Sequence, residues 1–173
     1  MLSQNNNQNT ALIVVKKNQP SGDRKPYWIY RNQIKKSSSS PMSGSLCQVV
    51  GEDGSYIGKG YYNERSLIAV RMLAFEEMPI DKEFFYKRIG EALKKRESFC
   101  KNTNAFRIVS SEADALPGLI VDVYADTAVF QITTLGMEYF RPFIIDALKH
   151  VLQPSFIYEK SDSSGRKREG LEN

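Results

Sequence analysis

The spacing of apolar residues changes character once along the chain, close to Met78-Pro79. Before that point the apolar residues come in short runs separated by Gly, Pro, Ser and charged residues: ALIVV (11–15), LCQVV (46–50), SYIGKGYY (55–62) and SLIAVRMLAF (66–75). Such runs are of strand length and too short for helices. LCQVV and SYIGKGYY flank Gly51-Glu52-Asp53-Gly54, a turn composition that predicts a β-hairpin. With the aromatic segment YWIY (27–30), the pattern gives four or five short strands in 75 residues, as in a small β-barrel or sandwich. Residues 1–10 are an Asn/Gln-rich lead-in and SSSSPMSGS (37–45) reads as a loop.

After Met78-Pro79 the period becomes helical. In DKEFFYKRIGEALKKRESF, Phe85, Ile89, Ala92 and Leu93 fall on one face, Asp81 is placed to cap the first turn, and Ile80 to pack on Phe85. Glu83–Lys87 and Glu91–Lys95 have the spacing of i,i+4 ion pairs. Three strands follow, AFRIVSS (105–111), GLIVDVY (118–124) and TAVFQIT (127–133), the last two joined as an antiparallel hairpin through Ala125-Asp126. A second helix is predicted over 138–152, with Phe140, Ile144, Ala147, Leu148 and Val151 inward and Pro142 in its first turn. SFIYEK (155–160) reads as a last strand, and the tail SDSSGRKREGLEN shows no periodicity. The expected fold is therefore mixed: a small β pseudobarrel, then an α+β domain with an antiparallel sheet and two helices.

Charge sharpens the division. Residues 1–75 hold ten Lys and Arg against four Asp and Glu, whereas residues 76–173 hold fourteen against sixteen. A basic first half suggests a polyanionic partner, although a basic surface can also serve solubility alone. Seven of those basic residues lie between Lys16 and Lys36, with a single acid, Asp23, and the aromatics Tyr27, Trp28 and Tyr30 interleaved. Ammonium and guanidinium groups neutralise phosphates, and exposed rings stack on unpaired bases. The candidate RNA contacts are Lys25, Trp28, Arg31, Lys35 and Lys36, with the alternative for Trp28 that it belongs to the core of the β domain.

Other chemistry finds little purchase. Cys47 and Cys100 lie far apart with no Cys-x-x-Cys or clustered histidine, which predicts buried free thiols and no metal site. Gly58-Lys59-Gly60 lacks the spacing and the Ser/Thr of a phosphate-binding loop, and no cofactor site is readable. His150, the only histidine, falls near a helix C-terminus, where a cation is mildly favoured. Glu112, Asp114, Asp122 and Asp126 cluster around the hairpin and read as turn and solvated-strand residues, not as an acid/base pair. No catalytic residue is assigned. No run approaches the length of a membrane helix and no secretory signal is visible, so a reduced, cytoplasmic protein without a membrane partner is expected.

Four segments together resemble one family: KPYWIYRNQI (25–34), GKGYYNERSLIAVRML (58–73), SSEADALPGLIVDVYADTAVFQ (110–131) and SDSSGRKREGLE (161–172). The chain is similar to the front of the class I S-adenosylmethionine-dependent cytosine-C5 methyltransferases of large-subunit ribosomal RNA. The resemblance implies a PUA domain over about 1–75, which binds RNA, and a central α+β domain over about 76–173. In that family a Rossmann-like domain follows, with the S-adenosylmethionine site and a cysteine nucleophile that attacks C6 of cytosine before methyl transfer to C5. Neither Cys47 nor Cys100 matches that nucleophile. Two positions depart from the family's pattern: Lys25-Pro26-Tyr27-Trp28 stands for a His-Pro-Trp element, and Ala125 stands where glycine is usual. The expectation is an RNA-recognition portion that lacks the catalytic domain and holds no cofactor itself. The rivals are a stand-alone RNA- or ribosome-binding adaptor and a scaffold that forms a homodimer through its central domain.

Overall fold

The computed structural model describes residues 10–16, 26–37, 41–97 and 99–172, and the chain divides into two units, Met1–Glu77 and Met78–Asn173. The first unit is a six-stranded sheet of β1 (Ala11–Val15), β2 (Trp28–Tyr30), β3 (Ile34–Ser37), β4 (Leu46–Gly51), β5 (Tyr56–Tyr62) and β6 (Ile68–Ala74), in the order β2-β6-β5-β4-β1-β3. β1 and β4 pair in parallel and every other ladder is antiparallel. The two outermost strands, β2 and β3, are consecutive in the chain and joined by a 3-10 turn, Arg31–Gln33. The sheet must therefore curl into a half-barrel. The turn is stitched to both margins: Arg31 N–H donates to the Leu67 carbonyl at 3.1 Å and Lys16 N–H to the Gln33 carbonyl at 2.9 Å.

Alternation places Ala11, Ile13, Val15, Ile29, Cys47, Val49, Val70 and Met72 together in the core. The Gly-Lys-Gly of residues 58–60 lies in β5 and serves packing: a Cβ on Gly58 would come 2.3 Å from the Ala74 carbonyl oxygen, and one on Gly60 2.3 Å from that of Arg71. The glycines let β5 press against β6 where the sheet bends.

The second unit orders β7 (Ala105–Ser110), β8 (Leu119–Tyr124), β9 (Thr127–Ile132) and β10 (Phe156–Glu159) as β10-β9-β8-β7. α1 (Lys82–Glu97) begins at Asp81, whose Oδ1 accepts the Phe84 N–H at 3.1 Å as expected of a cap. The expected single helix over 138–152 is two, α2 (Leu135–Tyr139) and α3 (Arg141–Leu152), because the chain leaves helical geometry at Phe140, ahead of Pro142 in the first turn of α3. Phe85, Ile89 and Ala92 of α1 and Ile144, Ala147 and Leu148 of α3 are buried, and the Phe85 and Phe140 rings lie 5.2 Å apart. Phe84, not expected inward, is buried as well.

Three details differ from the sequence expectation. β10 joins β9 in parallel, because α2 and α3 carry the chain back to the end at which β9 began. The i,i+4 ion pairs of α1 are replaced: Arg88 reaches Glu91 at 3.6 Å, and Lys95 leans toward Asp114 at 3.9 Å. The tail is not featureless. It forms α4 (Gly165–Glu169), and Arg166 is buried, donating to the Ile132 and Glu172 carbonyls and pairing with Glu138. Glu138 also pairs with Arg141, which in turn reaches Glu159. Arg166 thus ties α4 to the end of β9. By register, Tyr124, Phe156 and Tyr158 share the other face of the sheet and are exposed there.

Candidate nucleic-acid interface

Residues 26–37 comprise the outermost strands β2 and β3 and the turn between them, so much of the segment lies at the surface. In β2 the pattern is out-in-out: Ile29 is fully buried, whereas Trp28 is 41% and Tyr30 43% exposed. This decides the alternative left open for Trp28, which is a surface residue. Its cross-strand partner is Arg71, whose guanidinium lies 5.9 Å from the centre of the indole, within cation–π range. Tyr30 meets the indole edge-on at 6.5 Å. Tyr27 instead packs edge-on against Phe75 at 5.2 Å.

The basic candidates divide by what they touch. Arg31 Nη2 donates to the carbonyls of Asn63 (3.2 Å), Glu64 and Ser66 (2.9 Å), gathering the β5–β6 connection around one guanidinium. Lys35, at a β-bulge of the β1–β3 ladder, pairs with Glu52 of the β4–β5 turn at 2.5 Å. Lys36 is exposed. Lys25 lies outside the described residues. Lys16 donates its ammonium to the Asn32 carbonyl at 2.6 Å and so holds the 3-10 turn from the β1 side.

Trp28, Arg31, Lys35 and Lys36 thus lie within ten consecutive residues along β2, the turn and β3. Arg31 is drawn inward to carbonyls, and Lys35 is partly neutralised. Leu67 carries no sequence signal as a surface residue, because it stands in an apolar run that reads as strand. It precedes β6 and is 81% exposed beside the turn. Tyr30, Arg31, Asn32, Gln33 and Leu67 line one open concavity of about 610 Å³.

Residues 12–75 match the family model described as a PUA-like domain. They form a PUA-like domain. Across nearly its whole length the chain is related to larger proteins. It is 35% identical over 164 residues to the ribosomal RNA large subunit methyltransferase I of Vibrio cholerae, covering 94% of the chain and 41% of that protein. To the protein of the same name from Shewanella amazonensis it is 35% identical over 152 residues, covering 86% and 38%. The chain spans about two fifths of the length of the curated relatives it matches. Among solved structures, a candidate SAM-dependent methyltransferase from Streptococcus mutans superposes with a TM-score of 0.71 at 17% identity, over 87% of this chain and 40% of that one. A candidate methyltransferase solved with SAH gives 0.75 at the same identity and coverage. At that identity the likeness is one of fold, and it extends beyond the PUA-like domain.

Outside the PUA-like domain the residues weighed for chemistry have structural surroundings. Asp114 is not a solvated turn acid. Its side chain is 2% exposed, accepts Arg96 Nη1 and Nη2 at 2.7 Å each, and also accepts the Ser110 N–H at 2.8 Å. Burial pushes this carboxyl up, but the Arg96 fork, the Ser110 N–H and Lys95 together outweigh it and hold it below the usual carboxylate range. Asp122 pairs with Arg107 at 2.8 Å across the β7–β8 ladder. His150 stacks on Tyr86 with ring centres 4.4 Å apart. Cys47 is buried in β4 and its thiol is pushed up to about 12 by burial, far from the thiolate a nucleophile needs. Cys100 is half-buried rather than buried, in the turn after α1. Among the described residues no three His, Cys, Asp or Glu gather as metal ligands, and no helix is long and apolar enough to cross a membrane.

Proposed function

We propose that this chain is the RNA-recognition portion of a SAM-dependent large-subunit ribosomal RNA methyltransferase. The single observation that carries the reading is a PUA-like domain at residues 12–75 within a chain that shares 35% identity over 164 residues with such enzymes. The PUA-like domain docks RNA through the ribbon of β2, the 3-10 turn and β3. Trp28 supplies a stacking surface and Lys36, with Lys25 and Lys35, supplies phosphate neutralisation. Arg31 serves the site chiefly by shaping the β5–β6 connection. The second unit is the central domain that sets the RNA-binding unit beside a catalytic domain. Its modification is methylation at C5 of cytosine, with the methyl group drawn from S-adenosylmethionine. The two described units hold RNA and orient it, which lowers the entropic cost of the reaction without contributing a reacting group.

The test is binding with two ligands. Anisotropy with a labelled fragment of large-subunit ribosomal RNA should show affinity that falls steeply with salt. Titration calorimetry with S-adenosylmethionine should show no heat of binding for this chain. Tight cofactor binding would overturn the division of labour, and RNA affinity indifferent to salt would overturn the basic-ribbon reading.

A further inference from the structure

The 3-10 turn and the β5–β6 connection enclose more than a basic surface. Tyr30 and Leu67 present exposed apolar faces to one concavity, and Leu67, at 81% exposure, makes no contribution to the core that would explain an aliphatic residue there. Between them stand two carboxamides. Gln33 Oε1 accepts the Tyr30 N–H at 2.7 Å, which fixes the oxygen inward and leaves the amide nitrogen with both hydrogens to donate. The Asn32 carbonyl accepts the Lys16 ammonium at 2.6 Å, and among the described residues its side chain has no hydrogen-bond partner, which leaves it to donate and accept. Arg65, exposed two residues before Leu67, stands next to the exposed Glu64, and the charged ends of Lys16 and Arg31 are engaged by backbone carbonyls. A volume of about 610 Å³ is of small-ligand size. An exposed aromatic ring, an exposed aliphatic side chain and two carboxamides around one concavity match one chemical class, an unpaired nucleobase. An acidic peptide would need cations free to pair with it, and Lys16 and Arg31 are engaged by carbonyls.

We propose that this concavity is a subsite for a single unpaired nucleobase, stacked against Tyr30 and Leu67 and hydrogen-bonded by the side chains of Asn32 and Gln33. The subsite rests on the RNA-binding reading given above and adds to it a requirement for a base outside a helix. Arg31 organises it from behind, since its N–H donates to the Leu67 carbonyl and its guanidinium holds residues 63–66.

The experiment compares two fluorescently labelled RNAs of equal charge on the full chain: a hairpin with an unpaired loop, and a blunt duplex. The wild type should bind the hairpin about tenfold more tightly, the size of effect one stacked base gives. Leu67→Ser, at an exposed position outside the ribbon, should erase that preference while leaving duplex affinity unchanged, and Asn32→Ala should erase the preference as well. A 2-aminopurine placed in the loop should be quenched on binding the wild type, as stacking against Tyr30 requires, and should keep its fluorescence on binding Leu67→Ser. Equal wild-type affinity for both RNAs would overturn the subsite and leave the RNA-binding reading standing. No affinity for either RNA would overturn both. A hairpin preference unaffected by Leu67→Ser and Asn32→Ala, in variants whose circular dichroism matches wild type, would place the base elsewhere and overturn the proposal.

Discussion

Arg31 gives the sharpest separation of structure from contact. Replacing it by Met keeps an aliphatic stem and removes the guanidinium, which donates to three backbone carbonyls and has Tyr62 Oη within 3.5 Å. A hydrogen bond to a charged group contributes about 1.5–3 kcal/mol, but these carbonyls lie near the surface and regain water, so the net loss is about 2–3 kcal/mol. For a unit of this size that corresponds to a fall of about 10–20 °C in midpoint temperature. Trp28, the only tryptophan, lies in the same unit, so thermal unfolding followed by its fluorescence reads the right domain. RNA affinity measured below the new midpoint should keep the wild-type slope of log Kobs against log salt, because an arginine occupied by carbonyls neutralises no phosphate. Lys36→Glu should do the reverse, with an unchanged midpoint and a shallower slope, each lost phosphate contact removing about 0.7–0.9. An Arg31→Met variant with an unchanged midpoint and a slope reduced by nearly one would refute the reasoning and return Arg31 to the phosphate contacts.

Asp114→Ala should destabilise the second unit by about 3 kcal/mol in urea unfolding, the low end for a broken buried pair because Arg96 is itself partly exposed. The carboxyl is held below its ordinary value in the fold, so its stabilisation is complete above that ordinary value, near 3.9, and is lost as pH falls through the lower folded value. Asp114→Asn should therefore show a flatter loss of stability on acidification than wild type, and an equally steep one would refute the assignment. Ala125, at φ 54°, occupies the left-handed region in the β8–β9 turn. Ala125→Gly should raise the stability of the second unit by about 0.5–1 kcal/mol, and a loss of stability would mean that the turn is not strained.

The elements themselves were legible because they follow from local periodicity. The run 11–15, the hairpin around residues 51–54, the helix after Asp81 and the β8–β9 hairpin all appear where alternation or a helical face predicts them. What alternation does not carry is partner choice. Whether β10 runs parallel or antiparallel to β9 depends on where α2 and α3 return the chain, and the break at Phe140 depends on packing against Phe85. The short helix at Gly165–Glu169 has no amphipathic repeat. It exists because Arg166 finds Glu138 and the carbonyls of Ile132 and Glu172, groups distant in sequence or beyond the helix end.

The candidate site divides along the same line. Sequence by itself determined the basic, aromatic composition of residues 16–36, since charge and ring content are sums over residues. Only the tertiary structure decided which of those groups face solvent and which are consumed internally. Curling of the sheet turns Trp28 and Tyr30 outward, draws Arg31 to three carbonyls, sets Lys35 against Glu52 and brings Leu67 beside a turn more than thirty residues earlier. A guanidinium satisfied by backbone and one free for phosphate are the same letter in the chain. The difference lies in barrel closure, which depends on pairings across the whole first unit.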